Sequence, residues 1–121
     1  PEKISDGGGI FRRDEKEIML SNAMQKLFRT TRRSMSGEEM TRAVLRLKAD
    51  MLFNGGVGTY VKASWESNLD VGDKANENVR IDASDLKVRA VCEGGNLGFT
   101  LPARIEYAKT GGFINLDAID N

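Results

Sequence analysis

The sequence lacks histidine and has a single cysteine, and both facts exclude kinds of chemistry. Without histidine, these 121 residues carry neither a serine–histidine triad nor a histidine-based metal site. Cys92 has no second cysteine for an internal disulfide, which fits a reducing compartment, and no histidine to activate it as a nucleophile. We therefore expect Cys92 to be a small buried hydrophobic residue.

Long apolar runs and an excess of one charge are lacking as well. No run approaches the roughly 20 apolar residues that cross a bilayer, so we expect a soluble, cytoplasmic protein without membrane contact. Lysine and arginine together number 18, as do aspartate and glutamate, so no overall field attracts nucleic acid. The basic cluster of Arg29, Arg32 and Arg33 is predicted to be a solvated helix end. A nucleic-acid site there would need stacking aromatics, and only Phe28 is near.

Two helices are predicted in the first part of the chain. Ser21 can cap the first of them. Its apolar residues are Met24, Leu27 and Phe28. Ser36 and Glu39 form a capping box for the second helix, in which each side chain accepts from the other's backbone N–H. An apolar stripe follows, made of Met40, Ala43, Val44 and Leu47. We interpret this stripe as a core face, and a partner-binding surface along the helix from Ser36 to Lys48 is the alternative.

Two apolar segments each lead straight into a glycine loop. Asp50–Phe53 is predicted to be a buried strand that ends at the loop of residues 54–59. Lys87–Glu93 is rich in residues that favour strands, and it ends at the loop of residues 94–98. A helix is expected within residues 63–78, although its ends are not defined by the pattern.

A further helix and strand are predicted after the second loop. Thr100 is expected to cap this helix, with Pro102 in its first turn, where a missing backbone donor is harmless. Its predicted inner face consists of Ile105 and Ala108. Gly111 and Gly112 end the helix, and residues 113–116 are predicted to form one more short strand.

This alternation predicts an α/β fold, because parallel strands need crossover connections. We expect a partial Rossmann-like domain, a doubly wound parallel sheet of about three short strands with covering helices. The whole of residues 1–121 is predicted to be part of a dinucleotide-binding domain of a larger chain. Residues 1–49 would be a helical first segment, and residues 50–121 would form the strand-loop-helix part of a cofactor cleft.

The two glycine loops are the candidate binding site, since ligands of such sheets bind at the carboxyl ends of the strands. Asn54 and Asn96 each place an amide there that can donate and accept hydrogen bonds. Neither loop has a pyrophosphate-binding signature, and plain turns are the alternative interpretation. Glu93, at a strand end, is interpreted either as a buried acid or as an acceptor for loop N–H groups. Four aspartates are expected to be solvated at the surface: Asp70, Asp73, Asp82 and Asp85.

Residues 50–64 and 93–100 closely resemble the large bacterial NAD-specific glutamate dehydrogenases. Residues 3–11, 72–76, 104–108 and 117–121 resemble the same family. The resemblance implies oxidative deamination of L-glutamate to 2-oxoglutarate and ammonium, with NAD as the cofactor. Two positions depart from the family pattern: Leu101 stands where glutamine is usual, and Cys92 where glycine is common.

The resemblance also implies which residues line the cofactor cleft. Asn96 would contact the nicotinamide ribose, Asn121 would lie beside the nicotinamide, and the two loops would line the cleft with Asn54, Gly55, Gly56, Gly94 and Gly95. The family's catalytic lysine and aspartate are expected upstream of this segment, where L-glutamate or 2-oxoglutarate would mainly bind. We expect no catalytic residue and no metal here, and a parent protein that is a homo-oligomer. A non-catalytic α/β interaction or regulatory module is the alternative function.

Overall fold

A computed structural model describes residues 5–95 and 97–114 of the chain. It divides into two compact units, Pro1–Val44 and Leu45–Asn121. Within the described residues, no helix is long and apolar enough to cross a membrane.

The first unit pairs two short strands and carries the two predicted helices. β1 (Ile18–Met19) runs antiparallel to β2 (Ser34–Met35). α1 (Asn22–Phe28) begins after Ser21, whose Oγ accepts from the Met24 N–H at 3.2 Å, which confirms the predicted cap. The predicted apolar face is only partly right, since the Leu27 side chain is 58% exposed. Arg29 ends the helix in a left-handed conformation, and the basic cluster is solvent-exposed as predicted.

α2 (Gly37–Leu45) confirms the predicted capping box. Glu39 N–H donates to Ser36 Oγ at 3.1 Å, and Ser36 N–H donates to Glu39 Oε1 at 3.0 Å. The helix is shorter than predicted, because Leu45 ends it and Leu47 therefore lies outside the stripe. Arg32 pairs with Glu39 at 2.7 Å, so part of the basic cluster is neutralised by the start of α2.

The second unit is organised by a three-stranded parallel sheet in the order β3-β6-β7. β3 is Lys48–Asn54, β6 is Lys87–Glu93 and β7 is Phe113–Ile114. Its register pairs Leu52 with Val91, and Val91 with Ile114. Parallel strands with helical connections confirm the predicted α/β class and are consistent with a partial Rossmann-like fold.

The core of this unit lies on one face of the sheet. Its buried residues come from both connections between strands as well as from β6: Val61, Ile81, Ala83, Val91, Phe99, Ala103 and Tyr107. Leu52 and Ile114 pack against them from the outer strands. The prediction that β3 is buried was wrong, since Phe53 is 65% exposed and only one of its faces meets the core.

The connection from β3 to β6 contains more short elements than were predicted. A two-residue parallel pair, β4 (Val61–Lys62) with β5 (Ile81–Asp82), was missed, because two-residue strands leave no periodic signal. The helix expected within residues 63–78 is the single turn α3 (Asn68–Val71), followed by a 3-10 turn over Lys74–Val79. A second 3-10 turn covers Ala83–Asp85.

α4 (Leu101–Lys109) begins as predicted, with Thr100 Oγ1 accepting from the Ala103 N–H at 3.0 Å. Its predicted inner face was wrong: Ile105 is 55% exposed and Ala108 is exposed. The buried residues are Ala103, Arg104 and Tyr107. Tyr107 fixes this orientation, because its hydroxyl donates to the Val88 carbonyl at 2.8 Å and its ring meets Phe99 edge to face.

Candidate functional site

The two glycine loops meet at the carboxyl ends of β3 and β6. Asn54 and Glu93 are paired across the two strands, so both loops leave the sheet side by side. The Asn54 carbonyl accepts from the Gly94 N–H at 2.8 Å and from the Gly95 N–H at 3.2 Å. The second loop is therefore anchored on the last residue of β3.

Close backbone approach explains two of the glycines in the second loop. A Cβ at Gly95 would overlap the carbonyl oxygen of Gly56, and one at Gly98 would overlap the Asn54 amide and the Glu93 carboxylate. Gly56 differs, because a Cβ there would have no neighbour closer than 3.9 Å, the Tyr60 hydroxyl. Packing within the described residues therefore requires glycine at 95 and 98 and leaves open space at 56.

Thr59 joins the first loop to the second. Its hydroxyl donates to the Leu97 carbonyl at 2.9 Å, and its N–H donates to Asp73 Oδ2 at 2.9 Å. Its carbonyl accepts from Arg80 Nε at 2.8 Å. Leu97 has φ 49°, an unusual value for a residue other than glycine.

Arg80 and Asp73 form the support behind Thr59. The Arg80 guanidinium is fully buried and also donates to the Asp73 carbonyl at 2.6 Å and to Asn68 Oδ1 at 3.0 Å. The Asn76 amide, the Thr59 N–H and the Arg80 charge hold the pKa of Asp73 below its usual value. Burial lowers the pKa of Arg80. The prediction that Asp73 is merely solvated was wrong.

Glu93 is a buried acid, one of the two roles predicted for it. It is fully buried and forms an ion pair with Arg104, whose side chain is 7% exposed. Because Glu93 ends β6 and Arg104 lies in α4, the pair connects the strand to the helix on either side of the second loop. Arg104 was missed, since nothing in the periodicity of a helix marks a buried cation.

The other predicted acidic residues also have specific partners. Asp82 pairs with Lys62, Asp85 pairs with Arg46 at 3.3 Å, and Asp70 completes the α3 capping box with Ser67. Surface solvation was thus an incomplete description of all three. Lys62 lies in β4 and its partner Asp82 lies in β5, so this ion pair joins the two short strands.

The structure brings together five of the predicted site residues: Asn54, Gly55, Gly56, Gly94 and Gly95. Asn96 and Asn121 lie outside the described residues. Cys92 is only partly buried, contrary to prediction, with its Sγ 3.5 Å from the Met51 sulfur. Across the part of the chain that the structure describes, no cluster of three or more metal-ligating side chains occurs.

The loops offer amides and backbone groups rather than charge. Residues 54–60 and 94–101 contain neither lysine nor arginine. A strongly anionic group such as a pyrophosphate would find no cationic partner in either loop. The geometry suits an uncharged, polar ligand surface that approaches the backbone closely.

Comparison with known proteins shows the family of the chain. The family model described as bacterial NAD-glutamate dehydrogenase, catalytic domain, matches residues 1–121. The chain belongs to this family. Within the bacterial NAD-glutamate dehydrogenase family, the chain is 49% identical over 120 residues to the NAD-specific glutamate dehydrogenase of Halomonas elongata. It is 47% identical over 118 residues to that of Pseudomonas aeruginosa, and 44% over 124 residues to that of Mycobacterium tuberculosis.

These alignments cover 98–99% of the chain but only 7–8% of each relative. The chain therefore spans less than a tenth of the length of the curated relatives that it matches within the bacterial NAD-glutamate dehydrogenase family.

Proposed function

We propose that the full-length protein carrying this segment is an NAD-dependent glutamate dehydrogenase, which oxidatively deaminates L-glutamate to 2-oxoglutarate and ammonium. The segment itself lines the nicotinamide side of the cofactor cleft. The observation that carries the proposal is the meeting of the two glycine loops at the carboxyl ends of adjacent parallel strands, the position where such sheets bind ligands. The family match and the names of the relatives support the same activity.

The residues present fit the uncharged end of a dinucleotide. When bound, NAD supplies the acceptor for the hydride that leaves the α-carbon of glutamate. Open space at Gly56 lets a ligand approach the first loop, and amides at Asn54, Asn96 and Asn121 are suited to the ribose hydroxyls and the carboxamide. Neither loop has a pyrophosphate-binding signature, so we place the pyrophosphate in a different part of the protein.

The hydrogen bonds refine the role of each loop residue. The N–H groups of Gly94 and Gly95 already donate to the Asn54 carbonyl, so these glycines contribute close approach rather than donors for the ligand. Asn54 is held in place from the second loop, because its amide packs against the Cα of Gly98. Gly55 and Gly56 therefore form the wall of the cleft, and Asn54, Gly94 and Gly95 form its fixed base.

The catalytic lysine and aspartate, and most contacts to L-glutamate, belong to parts of the polypeptide outside this segment. The complete enzyme would be a cytoplasmic homo-oligomer. The chain covers only 7–8% of its relatives, which leaves most of the polypeptide available for these roles.

The test is glutamate-dependent formation of NADH by the full-length protein. We expect turnover with glutamate and NAD, and a raised KM for NAD in Gly56→Ala and in Asn96→Ala. Ser84→Ala, on an exposed turn, is the control and should match the wild type.

Two results would contradict the proposal at different points. No turnover with glutamate and either NAD or NADP would reject the activity. Normal turnover with an unchanged KM in both loop variants would keep the activity and reject the assignment of this segment to the cofactor cleft.

A further inference from the structure

Tyr60 connects the first glycine loop to the core and to the second loop. Its ring packs against the buried cluster of the second unit, which includes Val61 and Ile81. Its N–H donates to the Gly98 carbonyl at 2.8 Å, and its carbonyl accepts from the Ile81 N–H at 2.9 Å. The side chain therefore begins from a backbone that is fixed on both sides.

The hydroxyl of Tyr60 lies at the exposed turn of the first loop. It donates its single proton to the Val57 carbonyl at 2.8 Å, in a solvent-exposed hydrogen bond. A tyrosine hydroxyl has one donor and can also accept, so the capacity that remains at this oxygen is that of an acceptor. The bond to Val57 orients the oxygen without using that capacity.

Asn54 places a second acceptor beside the same open space at Gly56. A Cβ at Gly56 would lie 3.9 Å from the Tyr60 hydroxyl oxygen and 4.0 Å from Asn54 Oδ1. Apart from Gly56 and its chain neighbours, no other described atom comes within 4 Å of that point. Asn54 Nδ2 packs against Gly98, which turns Oδ1 toward Gly56. Oδ1 accepts from the Gly56 N–H at 3.4 Å and retains a second lone pair.

Two neutral acceptors that border one space favour a neutral donor. The first loop, residues 54–60, contains no charged side chain of either sign. A carboxylate or phosphate oxygen would meet two acceptors there and no cation. An amide NH2 group presents two N–H donors from one nitrogen, whereas a hydroxyl presents only one. The carboxamide of a nicotinamide ring supplies such an NH2 group.

We propose that Tyr60 is a cofactor-binding residue, whose hydroxyl oxygen accepts a hydrogen bond from the NH2 group of the nicotinamide carboxamide. Asn54 Oδ1 is the second acceptor for the same group. The inference rests on the proposed function and deepens it, because it makes the first loop the part of the cleft that recognises the amide. A cofactor with a methyl group in place of the NH2 loses both hydrogen bonds.

The experiment is isothermal titration calorimetry of the full-length protein, which measures binding without turnover. NAD is compared with acetylpyridine adenine dinucleotide, in which a methyl group replaces the carboxamide NH2. Tyr60→Phe removes one oxygen and keeps the ring. It should raise the Kd of NAD about five-fold, the loss expected for one hydrogen bond between neutral groups. The Kd of the acetylpyridine analogue should not change.

Tyr107→Phe is the matched control. The Tyr107 hydroxyl also donates to a backbone carbonyl, that of Val88, at 2.8 Å. Because Tyr107 belongs to the core rather than to either glycine loop, losing its hydroxyl should leave the ratio of the two Kd values as in the wild type.

A second variant separates the bond to Val57 from the contact with the ligand. It carries p-aminophenylalanine in place of Tyr60, whose amino group still donates to the Val57 carbonyl but is a poor acceptor. We expect the same change in the two Kd values as in Tyr60→Phe. Because this variant keeps the bond within the loop, it replaces Tyr60→Phe in the test if that protein does not fold.

Two results would overturn the inference. An equal rise of both Kd values in Tyr60→Phe would show that the hydroxyl acts only on the loop. Unchanged Kd values for both cofactors would show that it makes no contact with the ligand. Neither result affects the proposed function, which is rejected together with the inference if the wild-type protein does not bind NAD.

Discussion

At the scale of the residue, Thr59 determines how the two glycine loops are held together. Its hydroxyl reaches the Leu97 carbonyl at 2.9 Å, while its own backbone is fixed by Asp73 and Arg80. Thr59, Asp73 and Arg80 are not proposed to contact the cofactor. They act as positioning residues for the loop that carries Asn96.

Thr59→Val should weaken the binding of NAD in the cleft while preserving the packing around residue 59. Valine has nearly the same shape but no hydroxyl, so the Leu97 carbonyl loses its donor at a cost of about 1 kcal/mol. We expect a raised KM for NAD in the full-length protein with a smaller change in kcat, measured by initial rates. Thr59→Ser retains the hydroxyl and should restore the KM. If serine and valine have the same effect, the hydroxyl does not position the loop.

Asp73 should contribute a pH-dependent part of the stability. Because its hydrogen bonds to the Asn76 amide and the Thr59 N–H lower its pKa from the usual 3.8, the contribution is complete above that value. It is lost as the pH falls through the lower pKa of the folded state. Thermal unfolding of wild type and Asp73→Asn should differ most near neutral pH and converge in strong acid. A difference that stays constant with pH would contradict this account.

At the scale of the element, the ion pair between Glu93 and Arg104 connects β6 to α4. The two charges are almost completely buried, so removing one of them leaves the other without compensation. The pair spans the second loop, and its loss should affect the loop as well as the fold.

Glu93→Gln should therefore destabilise the protein by about 3–5 kcal/mol, as expected when one member of a buried pair is removed. The measurement is unfolding in urea, monitored with a spectroscopic probe in this domain. Replacing both partners, as in Glu93→Gln with Arg104→Met, removes the uncompensated charge and should recover part of the loss. The pairing would be contradicted if the double variant lost more stability than the two single variants lose together.

The approach of the second loop to the first should make Gly95 intolerant of a side chain. Gly95→Ala places a Cβ against the Gly56 carbonyl and should cost about 1–3 kcal/mol, because backbone has to move. Gly56→Ala, in the facing loop, has open space for its methyl group and should leave unfolding unchanged. Thermal unfolding of the two variants compares them directly, and equal stability would contradict the packing of the loops.

At the scale of the whole molecule, this segment provides a three-stranded parallel sheet and one end of a proposed cofactor site. Its formal net charge is zero, and its only buried cations among the described residues, Arg80 and Arg104, serve internal pairs. On the proposed function, the pyrophosphate site and the catalytic residues would lie in other parts of the polypeptide.

The proposed position of the segment predicts which part of a dinucleotide it contacts. Nicotinamide hypoxanthine dinucleotide differs from NAD only in its purine, so a change at the nicotinamide end should affect both cofactors equally. We expect Gly56→Ala in the full-length protein to lower kcat/KM for both by the same factor. A changed ratio between the two cofactors would place the first loop near the adenosine instead.

The sequence by itself determined the features that depend on neighbours within three or four residues. The caps at Ser21, Ser36 and Thr100 were predictable because a side-chain oxygen meets a backbone N–H three residues later. The bounds of β6 and the glycine loops followed from composition in the same way. Together with the alternation of elements, they were sufficient for the α/β class and for placing both loops at the carboxyl ends of the strands.

Only the tertiary structure decided which side chains are buried. Arg80 meets Thr59 across 21 residues, and Arg104 meets Glu93 across 11, distances over which a periodic pattern carries no information. The inner face of α4 is set by Tyr107 and Arg104 rather than by the apolar Ile105, because a buried polar group has to lie beside its hydrogen-bonding partner. The exposure of Phe53 on β3 was missed because the alternation of side chains along a strand does not tell which of its two faces the crossover connections cover.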